Sequence, residues 1–277
     1  MATARTKSSS TGPRVKEAEE ETVDLRALEK EREAPVTIDR GVSSTTAAEM
    51  GLEPEVEVPP EAQAWMERQT ERLTMLVEEY VDRLESSGNG RAVEPEAGAA
   101  EIGEVTVGPY VGLDVLAYSP IQPIATPPYE PHKIIRGGES AVIWALVFVN
   151  PAVDIAHGFA IPATVQLGGR GFRVRCEQID LTTVSNGPDF TFTGTFGSPA
   201  PSLTWFPFLL TPPDPGVNPR LMEANITVDI TDMAQPWAAF ATWHFDWDSD
   251  PGFLGLPGVP PQLQHDIPMR YLVYSGS

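Results

Sequence analysis

Cysteine is nearly absent from the sequence, which contains one, Cys176, in 277 residues. A single cysteine forms no internal disulfide, so the fold does not depend on an oxidising compartment. Long apolar runs are absent too, because none approaches the roughly 18 residues of a membrane-spanning helix. Residues 1–20 are polar and lack the apolar core of a secretory signal. We therefore expect a cytoplasmic protein or part of a particle, with no Sec signal peptide and no transmembrane segment.

Basic residues are scarce: 19 Lys and Arg stand against 39 Asp and Glu, for a formal net charge of -20. Nucleic-acid phosphates and anionic membrane surfaces attract positive charge, so this excess of acids argues against both as partners. We expect the partners to be the protein itself, as a homo-oligomer, or other subunits of an assembly.

Phenylalanine is missing from the first hundred residues, whereas residues 101–277 contain all 11. Residues 17–33 are dense in charge and carry few apolar side chains, which is typical of chain that cannot offset its ordering entropy. The sequence therefore predicts four parts: a disordered charged tail over 1–60, an amphipathic helix over 61–87, a linker over 88–101 and a β-sandwich domain over 102–277.

The helical segment carries an apolar stripe with a heptad spacing. About three heptads are marginal for a free coiled coil, so the stripe needs a surface to pack on. Two destinations remain open from the sequence, namely the protein's own β domain and a second copy of the helix. As a coiled-coil oligomer interface, the stripe would consist of Met66, Leu73, Val77, Tyr80 and Leu84.

From Val105 onward the pattern changes to alternating and β-branched residues, with turns rich in proline and glycine. The run over 141–149 (AVIWALVFV) is continuously apolar, which predicts a strand buried on both faces. About nine short strands are indicated, and their edges are expected to be blocked by Pro and Asp. This pattern favours an all-β fold, a β-sandwich of the jelly-roll type.

Three aspartates alternate along one stretch: Asp246, Asp248 and Asp250 in DWDSDPG. Carboxylates at this spacing can converge on a hard cation such as Ca²⁺. The match to a calcium loop is incomplete, because Pro251 separates Asp250 from the glycine and no later Glu completes an EF-hand. The alternative is a strand end whose aspartates face solvent. The sequence otherwise indicates no cofactor.

Several further features carry little chemistry. The histidines are scattered, and neither HExxH nor Gly-x-Ser-x-Gly occurs, so no catalytic residue is predicted. Arg170, Arg173 and Arg175 are either a solvated row paired with acids or a docking site, for an acidic partner or for the protein's own acidic tail. A set of aromatic side chains belongs either to the core or to an exposed sugar-binding surface: Trp205, Phe206, Phe208, Trp237, Trp243 and Trp247.

The combination of helix, linker and sandwich suggests a non-enzymatic structural or assembly protein, in which the β domain builds a multimer or particle and the helix and tail connect. The first alternative is a carbohydrate- or ligand-binding module, with calcium as a potential requirement. The second alternative is a hydrolase whose catalytic residues are dispersed along the chain.

Overall fold

A computed structural model describes residues 41–52, 57–86, 112–123, 129–155, 159–234, 237–244 and 268–276. These residues form two helices, α1 (Pro60–Ser86) and α2 (Ala163–Gln166). They also form twelve strands: β1 (Ser44–Thr46), β2 (Leu113–Tyr118), β3 (Ile134–Arg136), β4 (Ala141–Val149), β5 (Gly171–Asp180), β6 (Ser185–Asn186), β7 (Phe190–Thr195), β8 (Leu203–Leu210), β9 (Arg220–Ile230), β10 (Ala238–Phe240), β11 (Thr242–His244) and β12 (Met269–Tyr274).

The strands lie in two sheets. Sheet 1 has the order β1-β8-β4-β2-β11. Sheet 2 has the order β3-β12-β9-β5, with β6 and β7 both beside β5 and with β10 beside β9. The prediction of a mostly β protein in which one long helix precedes most of the strands is confirmed. The described helices include none long and apolar enough to cross a membrane.

Strand β4 shows why the protein has three layers. All nine of its residues are buried, as its unbroken apolar sequence predicts. Alternate side chains of a strand point to opposite faces. Ile143, Ala145 and Val147 pack in a core shared with β5, β9 and β12 of sheet 2, so the sheets form a sandwich. Trp144, Leu146 and Phe148 point the other way and pack under α1.

The jelly-roll connectivity is not confirmed. Jelly rolls are built from Greek keys of antiparallel strands. Here three pairs are parallel: β1 with β8, β11 with β2, and β3 with β12. In each of these pairs one member is a strand of three residues at the edge of its sheet, namely β1, β11 or β3.

The predicted disordered tail ends too late at residue 60, because 41–52 is part of the fold. β1 joins β8, and Ala47 is fully buried. Thr46 and Glu49 form a reciprocal capping box, in which the Thr46 N–H donates to Glu49 Oε2 at 2.8 Å and the Glu49 N–H donates to Thr46 Oγ1 at 3.2 Å. Most of the rest of the predicted tail, and all of the predicted linker, lie outside the described residues.

Strand β1 stops where β8 contains proline. The Ala47 N–H donates to the Trp205 carbonyl, and the next bond of a parallel ladder would need an N–H from Pro207. Proline has no N–H to give. The Ala47 carbonyl accepts instead from the Leu52 N–H at 2.8 Å, so the chain turns away from β8 at this point.

Candidate assembly edge

The five side chains predicted for a helical oligomer interface lie against the protein's own sheet 1. Met66, Leu73, Val77 and Tyr80 are buried there, and Leu84 is partly buried beside them. Of the two destinations that the sequence left open, the described chain takes the first. A stripe that is covered by sheet 1 offers no surface to a second helix, so the coiled-coil interface is not shown and stays a prediction.

Polar contacts fix the helix at both ends. Near its start, the indole N–H of Trp144 donates to the Ala62 carbonyl at 3.1 Å. Near its end, the Tyr80 hydroxyl donates to Asp154 Oδ2 at 3.0 Å, and both side chains are buried. Burying a polar group costs free energy unless the group is hydrogen-bonded. These two bonds therefore favour one position of α1 on sheet 1.

Most of the aromatic candidates for a sugar-binding surface are core residues. Trp205, Phe206 and Phe208 are fully buried, and Trp237 is partly buried against the core between the sheets. Under α1, Trp205 packs edge-on against Trp65 with the ring centroids 6.2 Å apart. The side chain of Trp243, and all of Trp247, lie outside the described residues.

The aspartates proposed for calcium, Asp246, Asp248 and Asp250, also lie outside the described residues, so the metal site stays a prediction. In the ranges that the structure describes, no group of three His, Cys, Asp or Glu side chains is placed to hold a metal ion.

The arginine row on β5 is paired with acids of its own chain. Arg173 makes a forked interaction with Asp229, at 3.0 Å from Nε and 2.8 Å from a terminal nitrogen. Arg175 lies 3.5 Å from a carboxylate oxygen of Glu177. The solvated, paired row is therefore the better of the two sequence interpretations for these two arginines.

Strand β7 is an exposed edge of sheet 2. It pairs with β5, and among the described residues it has no second partner strand. Phe190, Phe192 and Gly194 are half-buried, while the three threonines between and after them, Thr191, Thr193 and Thr195, are exposed. This alternation turns the apolar residues toward the sandwich and leaves the threonines on the outer face.

The free backbone groups of β7 belong to the threonines. The Phe196 N–H donates to the Arg170 carbonyl just beyond the strand, which makes this a hydrogen-bonded pair. Such pairs alternate with non-bonded pairs in an antiparallel ladder. With the observed register, Phe192 and Gly194 therefore bond to β5. The N–H and C=O groups of Thr191, Thr193 and Thr195 point away from it.

Edge strands of monomeric proteins usually carry a lysine, a proline or a bulge that prevents pairing with other chains. β7 has none of these, although Pro188 and Asp189 come just before it. The strand at the opposite edge of sheet 2, β3, is different. It is only three residues long, Lys133 comes directly before it, and Arg136 is its last residue. The expectation of edges blocked by Pro and Asp thus fails within β7 itself.

Cysteine chemistry plays no part at this edge. Cys176 pairs with Phe190 across β5 and β7, but its side chain is fully buried. Burial raises the pKa of the thiol well above its ordinary value, and the charges of Asp189 and Glu177 raise it further. A protonated, enclosed thiol is inert, so the folded protein cannot use it to link two chains.

The sequence predicts short strands from Val105 onward, but it does not show that β7 is an edge. Phe190 and Phe192 alternate with threonines, whereas strand order depends on pairing across the chain. One sequence feature could have singled out this strand: residues 190–195 contain no charge and no proline, in a chain that has 28 Pro and a net charge of -20.

No protein-family model matches the chain, and no curated protein is similar to it. The solved structures with similar parts include three that are at most 10% identical to this chain. The sporulation control protein Spo0M from Bacillus subtilis is 10% identical over 49% of this chain and 50% of its own, with a TM-score of 0.25. This chain therefore spans half of the Spo0M chain.

The other two structures are CsgH of R. palustris and a Pseudomonas fluorescens DNA glycosylase. CsgH is 8% identical over 46% of this chain and 90% of its own, with a TM-score of 0.22. The alkylpurine DNA glycosylase AlkC, bound to DNA containing an abasic site analog, is 10% identical over 69% and 41%, with a TM-score of 0.23. At these scores none of the three supports a conclusion about this chain.

Proposed function

We propose that the protein has a structural, non-enzymatic role and assembles with a second copy of itself through β7. The observation that carries the proposal is a six-residue edge strand that has no charge or proline, and whose outward backbone groups have no partner in the part of the chain that the structure describes. In this proposal the β domain, and not the helix, forms the contact, because the apolar stripe of α1 is covered by sheet 1.

The sequence of β7 suits a two-fold antiparallel pair. Centring the pair on Thr193 places it opposite the partner's Thr193, and places Thr191 opposite the partner's Thr195. In this register the outward-pointing groups of both strands meet, so each threonine pair exchanges both backbone hydrogen bonds. Threonine pairs on one face of a sheet are favourable, and no like charges are opposed.

A two-fold contact closes on itself, so it yields a dimer rather than an open fibre. The net charge of -20 opposes the approach of two copies. Added salt screens this repulsion while leaving backbone hydrogen bonds in place. Association should therefore strengthen with ionic strength, which is the opposite of what a contact built on salt bridges would show.

The test is the molar mass of the full chain, measured by sedimentation over a concentration series at low and high salt. Thr193→Pro removes an outward N–H without removing a bond to β5, and Thr193→Lys places a charge at the centre of the pair. Each variant should raise the dimer dissociation constant at least about tenfold, which corresponds to roughly 1.4 kcal/mol. Asn218→Lys adds the same charge in an exposed loop and should leave the constant unchanged.

Circular dichroism and thermal melting of each variant establish that the monomer still folds. A wild-type protein that stays monomeric at all concentrations would contradict assembly altogether. Variants of Thr193 that dimerise as well as the wild type would leave assembly in place but remove β7 from it.

A further inference from the structure

A cavity of about 470 Å³ opens between the first turns of α1 and sheet 1. Its size falls within the range of small-molecule sites, roughly 300–1,000 Å³. Strand β1 ends early because β8 offers no N–H at Pro207, and the chain that follows turns away. The opening lies between that turn, the segment that leads into α1, and the helix itself.

The floor of the cavity is apolar and buried. It consists of side chains from five different elements or segments: Ala47, Val58, Met66, Trp144 and Pro207. Trp144 and Pro207 are cross-strand neighbours on β4 and β8, and the indole N–H of Trp144 is already bonded to Ala62. The floor therefore offers hydrophobic and polarisable surface, including an aromatic side chain of the kind that interacts favourably with cations.

The rim of the cavity is acidic. Glu57 and Glu67 line it together with Gln63, and all three residues are exposed. No Lys, Arg or His is among the lining residues that the structure describes. Other carboxylates of the protein, such as Asp229 and Glu223, are paired with arginines. Within the described ranges, Glu57 and Glu67 have neither an ion pair nor a side-chain hydrogen bond.

We propose that this cavity binds a small organic cation with an apolar chain, such as an alkylammonium ion. The chain would lie on the Met66 and Trp144 floor, and the charged head would lie at the rim between Glu57 and Glu67. A carboxylate that accepts a hydrogen bond from a cationic donor contributes more than a neutral acceptor does. An anion of the same shape would face two carboxylates, so the site discriminates by charge.

Three probes of equal chain length separate the contributions of shape and charge: hexylammonium, hexan-1-ol and hexanoate. Isothermal titration of the full chain at fixed ionic strength should give the order hexylammonium, then hexanol, then hexanoate. We expect hexylammonium to bind at least about tenfold more tightly than hexanol, as a charge-assisted hydrogen bond provides.

Variants test whether the cavity is responsible. In Glu57→Gln/Glu67→Gln, the affinity for hexylammonium should fall to that for hexanol, while hexanol binding stays the same. The matched control, Glu71→Gln/Glu79→Gln, removes equal charge from exposed positions of α1 that do not line the cavity. This control should keep the preference for the amine. Ala48→Trp fills the mouth and should abolish binding of hexylammonium and hexanol.

Three outcomes would overturn the proposal. They are no binding by any probe, equal binding of the three, and an equal loss of amine binding in both double variants, since the last would reflect general attraction to an acidic protein. The site is independent of the β7 contact, because it lies on the helix side of sheet 1. A protein that proves monomeric would still be expected to bind the amine.

Discussion

At the scale of single residues, one buried carboxylate organises the turn that follows β5. Asp180 ends β5 and is almost fully buried. One of its oxygens accepts from the backbone N–H groups of Thr182 and Thr183, at 2.8 and 3.1 Å. The other lies 3.5 Å from the guanidinium of Arg220 at the start of β9. One side chain thus shapes the turn toward β6 and links it to the neighbouring strand.

These contacts determine how Asp180 titrates. Burial by itself raises the pKa of the carboxyl group, but the hydrogen bonds from Thr183 and Thr182 and the charge of Arg220 outweigh burial. The net pKa is lower than the ordinary value of 3.8. A carboxyl group with a lowered pKa in the folded state stabilises the fold above its unfolded pKa. That contribution is lost as the pH falls through the lower, folded value.

We predict that Asp180→Asn lowers the free energy of unfolding by about 1–2 kcal/mol at pH 7, since it removes a charged acceptor and the ion pair. The difference from wild type should narrow as the pH falls from about 3.8, where the unfolded chain takes up the proton, through the lower folded pKa, below which the native carboxyl is protonated as well. Urea unfolding between pH 7 and pH 2 measures the loss of unfolding free energy and its dependence on pH. Asp232→Asn alters an exposed carboxylate and serves as the control. A difference that does not change with pH would contradict the role of the charge.

At the scale of elements, the helix shows what a side-chain pattern can determine. The heptad spacing predicted a helix over 61–87, and α1 covers Pro60–Ser86. The pattern also identified the side that must be buried, with Val77 fully buried and Met75 62% exposed. It could not identify the covering surface, because a stripe of apolar side chains fits a sheet as well as another helix.

We predict that Leu73→Ala lowers the free energy of unfolding by about 2–5 kcal/mol, the usual effect of truncating a buried leucine. Met75→Ala, two residues away on the exposed side of the same helix, should change it by less than about 0.5 kcal/mol. Chemical denaturation measures the free energy of unfolding of both variants, and the slope of that free energy against denaturant concentration should be the same as in the wild type. Equal effects of the two substitutions would mean that the stripe is not buried against sheet 1.

For the strands too, the sequence pattern predicts some features, whereas others depend on contacts between distant parts of the chain. β4 covers the apolar run over 141–149 and is buried on both faces, as that run indicated. β1 was missed because three residues give no detectable alternation. Its signal was the Thr46-to-Glu49 capping box, which lies in the segment predicted to be a disordered tail. The cavity depends on five separate segments and has no local sequence signature.

At the scale of the whole molecule, sheet 1 is shared by two cores. One face of β2, β4 and β8 packs on sheet 2, and the other face packs under α1. The helix is also fixed at both ends by buried hydrogen bonds to Trp144 and Asp154. Loss of the helix would expose Trp205 and Phe148, and loss of sheet 2 would expose Ile143 and Val147 on the same strands. Neither outer layer can therefore leave without destabilising the middle one.

We predict that the three layers unfold in one cooperative transition, because a middle layer that is stabilised from both sides couples the outer ones. Three probes report on different layers: helical circular dichroism follows α1, tryptophan fluorescence follows the cluster around Trp205 beneath it, and the reactivity of Cys176 toward a thiol reagent follows β5 in sheet 2. Their urea midpoints should coincide, and Leu73→Ala should shift all three equally although Cys176 lies in the other sheet. A helical signal that is lost at lower urea than thiol protection would show that α1 is a separately stable layer, and the coupling through sheet 1 would then be wrong.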